Sequence, residues 1–200
     1  MIIEGVLILG AYILGSIPIS ALIHQLGQNQ LNLNPNSPTQ LYFSYSVWVL
    51  IFGPLSGILK GVLLILVSDT LLIAYPFMGL ACIALLVGAQ YSIFQRFKPA
   101  SYTSLVVLGL FGMTDPVLGL LFALITLSAM ALLNNIELGL LSASMVTSLY
   151  FVSMGYPVNA WPILLGIILG ILIAHHKEFL NCINGNKTTL LDRYKNRHPH

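Results

Sequence analysis

Lys60 is the first residue that could do chemistry, because it is the only formal charge deep inside a long apolar run. An ammonium at such depth costs about 2.5–3.5 kcal/mol on insertion scales. One reading makes it a binding group for an anionic headgroup or phosphate. The other, preferred on the sequence, is a lysine that snorkels to the nearer interface. It sits about seven residues from the end of its run, roughly 10 Å at 1.5 Å per residue. If it is paired instead, Glu4 is the first acidic residue to consider, since both are expected toward the outer side. Gly53, Gly57 and Gly61 recur every four residues beside Lys60, and Gly166 and Gly170 repeat that spacing further on. Small residues at i and i+4 let helix backbones approach closely. These faces are expected to pack within the chain, with docking of another protein as the alternative. His175 and His176 adjoin Lys177; adjacent histidines point in different directions on a helix, so interfacial anchoring is expected rather than chelation. Cys82 and Cys182 lie a hundred residues apart and suit neither a metal site nor a disulfide framework. The sequence carries no metal cluster, Gly-rich phosphate loop or nucleophile–base constellation, so no metal and no cofactor are expected.

The elements that must position these residues follow from composition. Of 200 residues, 57% are apolar and only 14 are charged, eight Lys/Arg and six Asp/Glu. Soluble chains average about 25% charged residues. The mean hydropathy is +0.89. Collagen, coiled coil, disordered tail and nucleic-acid-binding domain are excluded. The apolar runs are continuous rather than alternating, which selects helices over a barrel. An all-α polytopic membrane protein is expected, with spans near 2–26, 44–67, 71–94, 101–114, 116–134, 138–154 and 158–179. The fourth and sixth are short for a bilayer and are expected to be tilted, re-entrant or buried behind other helices. Turn chemistry marks the breaks, as at Ser68-Asp69, Asp115-Pro116 and Gly155-Tyr156-Pro157. The first run has no preceding Lys or Arg and is too long for a signal h-region. The chain therefore divides into a seven-helix domain, 1–183, and a polar basic tail, 184–200.

Seven of the eight basic residues fall in two places. Arg96 and Lys98 follow the third span, and Lys177, Lys187, Arg193, Lys195 and Arg197 follow the seventh. Seven spans put both places on one side, and the positive-inside rule makes that side cytoplasmic, with the N-terminus outside. The acidic breaks at Asp69 and Asp115 then fall on the opposite side.

The string Ala11-Tyr12-Ile13-Leu14-Gly15-Ser16-Ile17-Pro18 resembles the opening of the bacterial acyl-phosphate:glycerol-3-phosphate acyltransferases, the PlsY family. The resemblance covers the whole chain and implies seven spans, an outer N-terminus and a cytoplasmic site. It also implies the bacterial inner (plasma) membrane or a related internal membrane. The family makes lysophosphatidic acid from an acyl phosphate and glycerol 3-phosphate. Its motifs are incompletely kept here. A loop resembling G-S-G-N-x-G-A-T-N falls on residues 32–40, where only Thr39 matches, with Leu33 at the serine position and Pro35 at the first asparagine. A second-span D-x-x-K-G keeps Lys60-Gly61 but has Gly57 at the aspartate. A motif resembling G-H-x-F-P-x-F-x-x-F-K-G-G-K-G falls on Gly88 to Tyr102. It keeps Gly88, Phe94, Phe97 and Lys98, with Ala89 at the histidine, Ser92 at the proline and Ser101 at the second lysine. A third, resembling R-H-x-x-N-I-x-R-L-x-x-G-x-E, keeps His175 and Gly185, with Glu178, Asn181 and Lys187 at the asparagine, arginine and glutamate.

Positions that build the fold survive better than those that would bind a dianionic phosphate or activate a hydroxyl. The expectation is a catalytically degenerate family member acting as a structural or accessory subunit of a larger membrane complex. Its expected partners are the lipid bilayer and a membrane protein or a second copy, with no nucleic acid. The first alternative is an active acyltransferase, with Thr39 and His175 as catalytic candidates and Lys60, Arg96 and Lys98 as phosphate-binding candidates. The second is a small lipid-binding or transport protein.

Overall fold

The computed structural model describes residues 2–18, 55–95, 103–133, 136–155, 160–176 and 180. Among them are seven α-helices: α1 (Ile2–Ser16), α2 (55–70), α3 (Tyr75–Gln90), α4 (Thr103–Thr114), α5 (Pro116–Leu133), α6 (Ile136–Ser153) and α7 (Trp161–Ala174). They correspond one for one to the seven expected spans. A 3₁₀ turn, Ile93–Gln95, follows α3.

Several described helices are shorter than the runs that announced them, for local reasons. α1 stops at Ser16 rather than continuing toward residue 26 because Pro18 has no N–H and disfavours helical backbone at Ile17. α2 closes in a Schellman turn, with the Ile73 N–H on the Ser68 carbonyl and the Leu72 N–H on the Asp69 carbonyl. Leu72 takes the left-handed position with φ 51°, where glycine is usual. The break between α4 and α5 is as expected: Pro116 occupies the first helical position, and Asp115 Oδ1 accepts the Val117 N–H at 2.8 Å. The 18-residue α5 and α6 reach about 27 Å, against a hydrocarbon core of about 30 Å. Among the described residues no helix is long and apolar enough to cross a membrane.

α3 is the hub, packing on α1, α4 and α7, while α4–α5, α5–α6 and α6–α7 are further neighbours. Its buried residues, from Met78 to Gln90, cover more than half of its circumference and leave Leu80 exposed on the remaining side, a wider buried face than the stripe of a surface helix. The short α4 is buried behind other helices, with Val106, Val107, Leu110 and Phe111 all in the core. Leu120, Leu124 and Leu127 of α5, Met145, Leu149 and Val152 of α6, and Leu165 and Leu169 of α7 form exposed apolar stripes. An apolar exterior suits a lipid solvent rather than water.

Backbone contact through glycine joins the helices. A Cβ on Gly15 would lie 2.2 Å from the Leu85 carbonyl oxygen, and one on Gly88 2.3 Å from that of Tyr12, so α1 and α3 touch main chain to main chain. Gly61 and Gly109 do the same for α2 and α4, and Gly79 and Gly166 for α3 and α7.

Candidate functional site

Polar side chains collect at the end of the bundle where α1, α3 and α7 terminate and α4 begins. This is the end that the positive-inside rule expects on the cytoplasmic side. A helix leaves its last carbonyls without intrahelical donors, and Pro18 prevents α1 from supplying any. Other elements supply them. Lys60 Nζ of α2 donates to the Gly15 carbonyl at 2.8 Å and to the Ile17 carbonyl at 2.6 Å. Between these, the Ser16 carbonyl accepts from the Ser92 hydroxyl. The Ser16 hydroxyl is itself fully buried with no hydrogen-bond partner among the described residues. Alongside, the Tyr12 hydroxyl donates to the Tyr91 carbonyl at 3.1 Å. The Thr103 hydroxyl, at the start of α4, donates to Gln90 Oε1 at the end of α3, 2.9 Å away in a buried setting. The Tyr91 and His176 rings lie 6.4 Å apart, tilted by 46°.

Lys60 therefore does not snorkel. Only 8% of the residue is exposed, and its ammonium sits on the partly negative end of α1. Hydrogen bonds to a charged group contribute about 1.5–3 kcal/mol each. Two of them offset an insertion cost of about 2.5–3.5 kcal/mol, so no carboxylate partner is needed. Glu4 is not the partner: it precedes Gly15 by eleven residues, roughly 16 Å along α1. Lys60 is level with the C-terminal end of α1, so its expected placement toward the outer side is also corrected.

His175 caps α7, its N–H on the Ile171 carbonyl at 2.9 Å, and its side chain is buried. Gly57 is buried in α2. Gly61 meets the backbone of α4, Gly166 the backbone of Gly79, and Gly170 the side chain of Leu86. The face offered as a docking surface for another protein is thus occupied within the chain at Gly61, Gly166 and Gly170, because their missing side chains make room for neighbouring helices. Thr39, Arg96, Lys98 and Gly53 lie outside the described residues, as do residues 184–200 of the tail.

Sequence reasoning did not single out Ser92, Gln90 and Thr103 as a polar group, nor Gly15 and Gly88 as a pair. A usable signal existed for one of them: Gln90 is an amide at the close of a long apolar run. Their pairing across 13 residues for Gln90–Thr103 and 76 for Ser16–Ser92 is tertiary information.

A family model described as glycerol-3-phosphate acyltransferase matches residues 5–185. Two crystal structures share the fold. Both are of PlsY (YgiH), described as an integral membrane glycerol 3-phosphate acyltransferase. The glycerol 3-phosphate form matches with a TM-score of 0.67 at 22% identity, covering 94% of this chain and 95% of that one. The lysophosphatidic acid form matches with a TM-score of 0.68 at 22% identity, covering 93% and 94%. No curated protein matches the sequence. Composition, the apolar exterior, the seven-helix order and the near-complete family match agree, and this all-α integral membrane protein belongs to the glycerol-3-phosphate acyltransferase family.

Proposed function

We propose that this family member keeps the seven-helix scaffold, has lost acyl transfer, and serves as a structural or accessory subunit of a larger membrane assembly. The observation that supports this most is the commitment of the polar groups at the candidate site to the chain itself. Lys60 and Ser92 donate to the last carbonyls of α1, and Thr103 donates to Gln90. A glycerol 3-phosphate site needs donors aimed at the phosphate. The family resemblance points the same way. Ala89, a buried residue in α3, stands at the motif's histidine, and Gly57 stands at its aspartate. A fold does not carry its chemistry without the residues that perform it. Because Gly61, Gly166 and Gly170 are already engaged, a protein partner would meet the leucine stripes of α5 and α6.

One observation favours the alternative of an active acyltransferase. Lys60, Ser92, Gln90, Thr103 and the buried His175 all sit where the helices of one end converge. The test is acyl transfer by the purified protein in detergent, from an acyl phosphate to glycerol 3-phosphate, beside an active family member. No turnover from folded protein with an active control is expected. Turnover well above background refutes the proposal, and His175→Ala and Lys98→Ala then test the alternative's residues. Co-purification in a mild detergent reads the subunit role: a protein retained in fixed proportion is the expected outcome.

A further inference from the structure

We propose that the end of α1 is a backbone-built ammonium site, which this chain fills with its own Lys60. The inference goes deeper into the same site as the proposed function, but its experiment reads stability rather than turnover, so either can fail alone. Two carbonyls, of Gly15 and Ile17, converge on one nitrogen at 2.8 and 2.6 Å. That arrangement matches a tetrahedral ammonium, which can aim separate N–H groups at separate acceptors. The intervening Ser16 carbonyl is turned to Ser92, which fixes the orientation of the peptide units on either side. Ser16 adds a buried hydroxyl oxygen that no described group engages.

The site also has the field that a cation requires. It lies at the C-terminal end of a 15-residue helix, where unsatisfied carbonyls carry the negative end of the dipole. It is walled by closely packed backbone, since Gly15 rests on Leu85 and Ala89 of α3, while Gly61, the residue after Lys60, rests on α4. Pro18 keeps the carbonyls open by ending the helix, and no backbone donor from α1 can take them. The ligand class is therefore a primary alkylammonium: a compact cation with several N–H donors. A quaternary ammonium has the charge and lacks the donors.

The test is Lys60→Ala in a mild detergent or nanodisc, followed by thermal unfolding with added ethylammonium, tetramethylammonium or sodium chloride at equal ionic strength. Removing the side chain is expected to lower the midpoint by about 5–10 °C. Ethylammonium is expected to restore most of the loss saturably. Tetramethylammonium and sodium are expected to restore none of it, and the wild type should not respond. An unchanged midpoint for the variant overturns the proposal. So does equal recovery with tetramethylammonium, or stabilisation of the wild type by glycerol 3-phosphate that Lys60→Ala abolishes. If Lys60→Ala does not accumulate folded, lysine-¹⁵N NMR of the wild type against Lys60→Arg decides. One exchange-protected ammonium signal, lost in the variant, is expected, and its absence from the wild type overturns the proposal.

Discussion

The α1–α3 contact makes opposite predictions for one substitution at two glycines of the same helix. Gly15→Ala puts a Cβ 2.2 Å from the Leu85 carbonyl oxygen and 2.9 Å from the Ala89 nitrogen. Ordinary contact begins at 3.4 Å, so the deficit is about 1.2 Å, 3.4 minus 2.2, and backbone must move to relieve it. Overpacking of that size costs about 1–3 kcal/mol. For a chain of this length each kcal/mol lowers the unfolding midpoint by about 2–4 °C, giving a drop of about 2–12 °C. Gly10, five residues earlier, has nothing within 4 Å of an added Cβ. Gly10→Ala gains helix propensity of about 0.5–1 kcal/mol and should raise the midpoint slightly. The assay is thermal unfolding of purified variants in one detergent, followed by circular dichroism. Gly88→Ala, which meets the Tyr12 carbonyl across the same crossing, should resemble Gly15→Ala. The double variant should lose less than the sum, because the first Cβ already spreads the helices. Equal midpoints for Gly15→Ala and Gly10→Ala would refute the reasoning, since the two differ in the structure only by what the new methyl group meets.

Two further substitutions test buried polar groups. Thr147 of α6 is fully buried, and its hydroxyl has no partner among the described residues. Thr147→Val should leave the midpoint unchanged or raise it by a few degrees, because an unsatisfied buried hydroxyl costs about 1–3 kcal/mol; a clear drop contradicts this. Thr103→Val removes the donor to Gln90 Oε1 and should cost a similar amount, and adding Gln90→Leu should recover part of the loss. Additive losses in that double variant would mean the two side chains do not act as a pair.

The glycines show how much the sequence could say about packing. Their i, i+4 spacing marks Gly61, Gly166 and Gly170, and an added Cβ at each of these would meet a neighbouring helix. It did not announce Gly15, Gly79, Gly88 or Gly109, because each needs only one facing carbonyl, on a helix whose position is not a local property. Lys60 gives the complementary case. Its depth in an apolar run could be counted, but the count treats the hydrocarbon edge as the nearest polar place. In the folded chain the nearest acceptors are the carbonyls of another helix, 45 and 43 residues away in sequence.

What the sequence by itself determined is the solvent, the number of helices and several of their ends. With 57% apolar and 7% charged residues the chain suits a hydrocarbon environment, and Pro18 and Asp115-Pro116 break helices through their own covalent geometry. These are local or summed properties and need no knowledge of which helices touch. Only the tertiary structure decided that α3 is central, that Lys60 serves the end of α1, and that Ser92, Gln90 and Thr103 are drawn into the same end. In a chain that is apolar on nearly every face, periodicity cannot distinguish the face toward lipid from the face toward protein. That choice is made by which backbones can approach one another, and by which carbonyls remain to be met once they have.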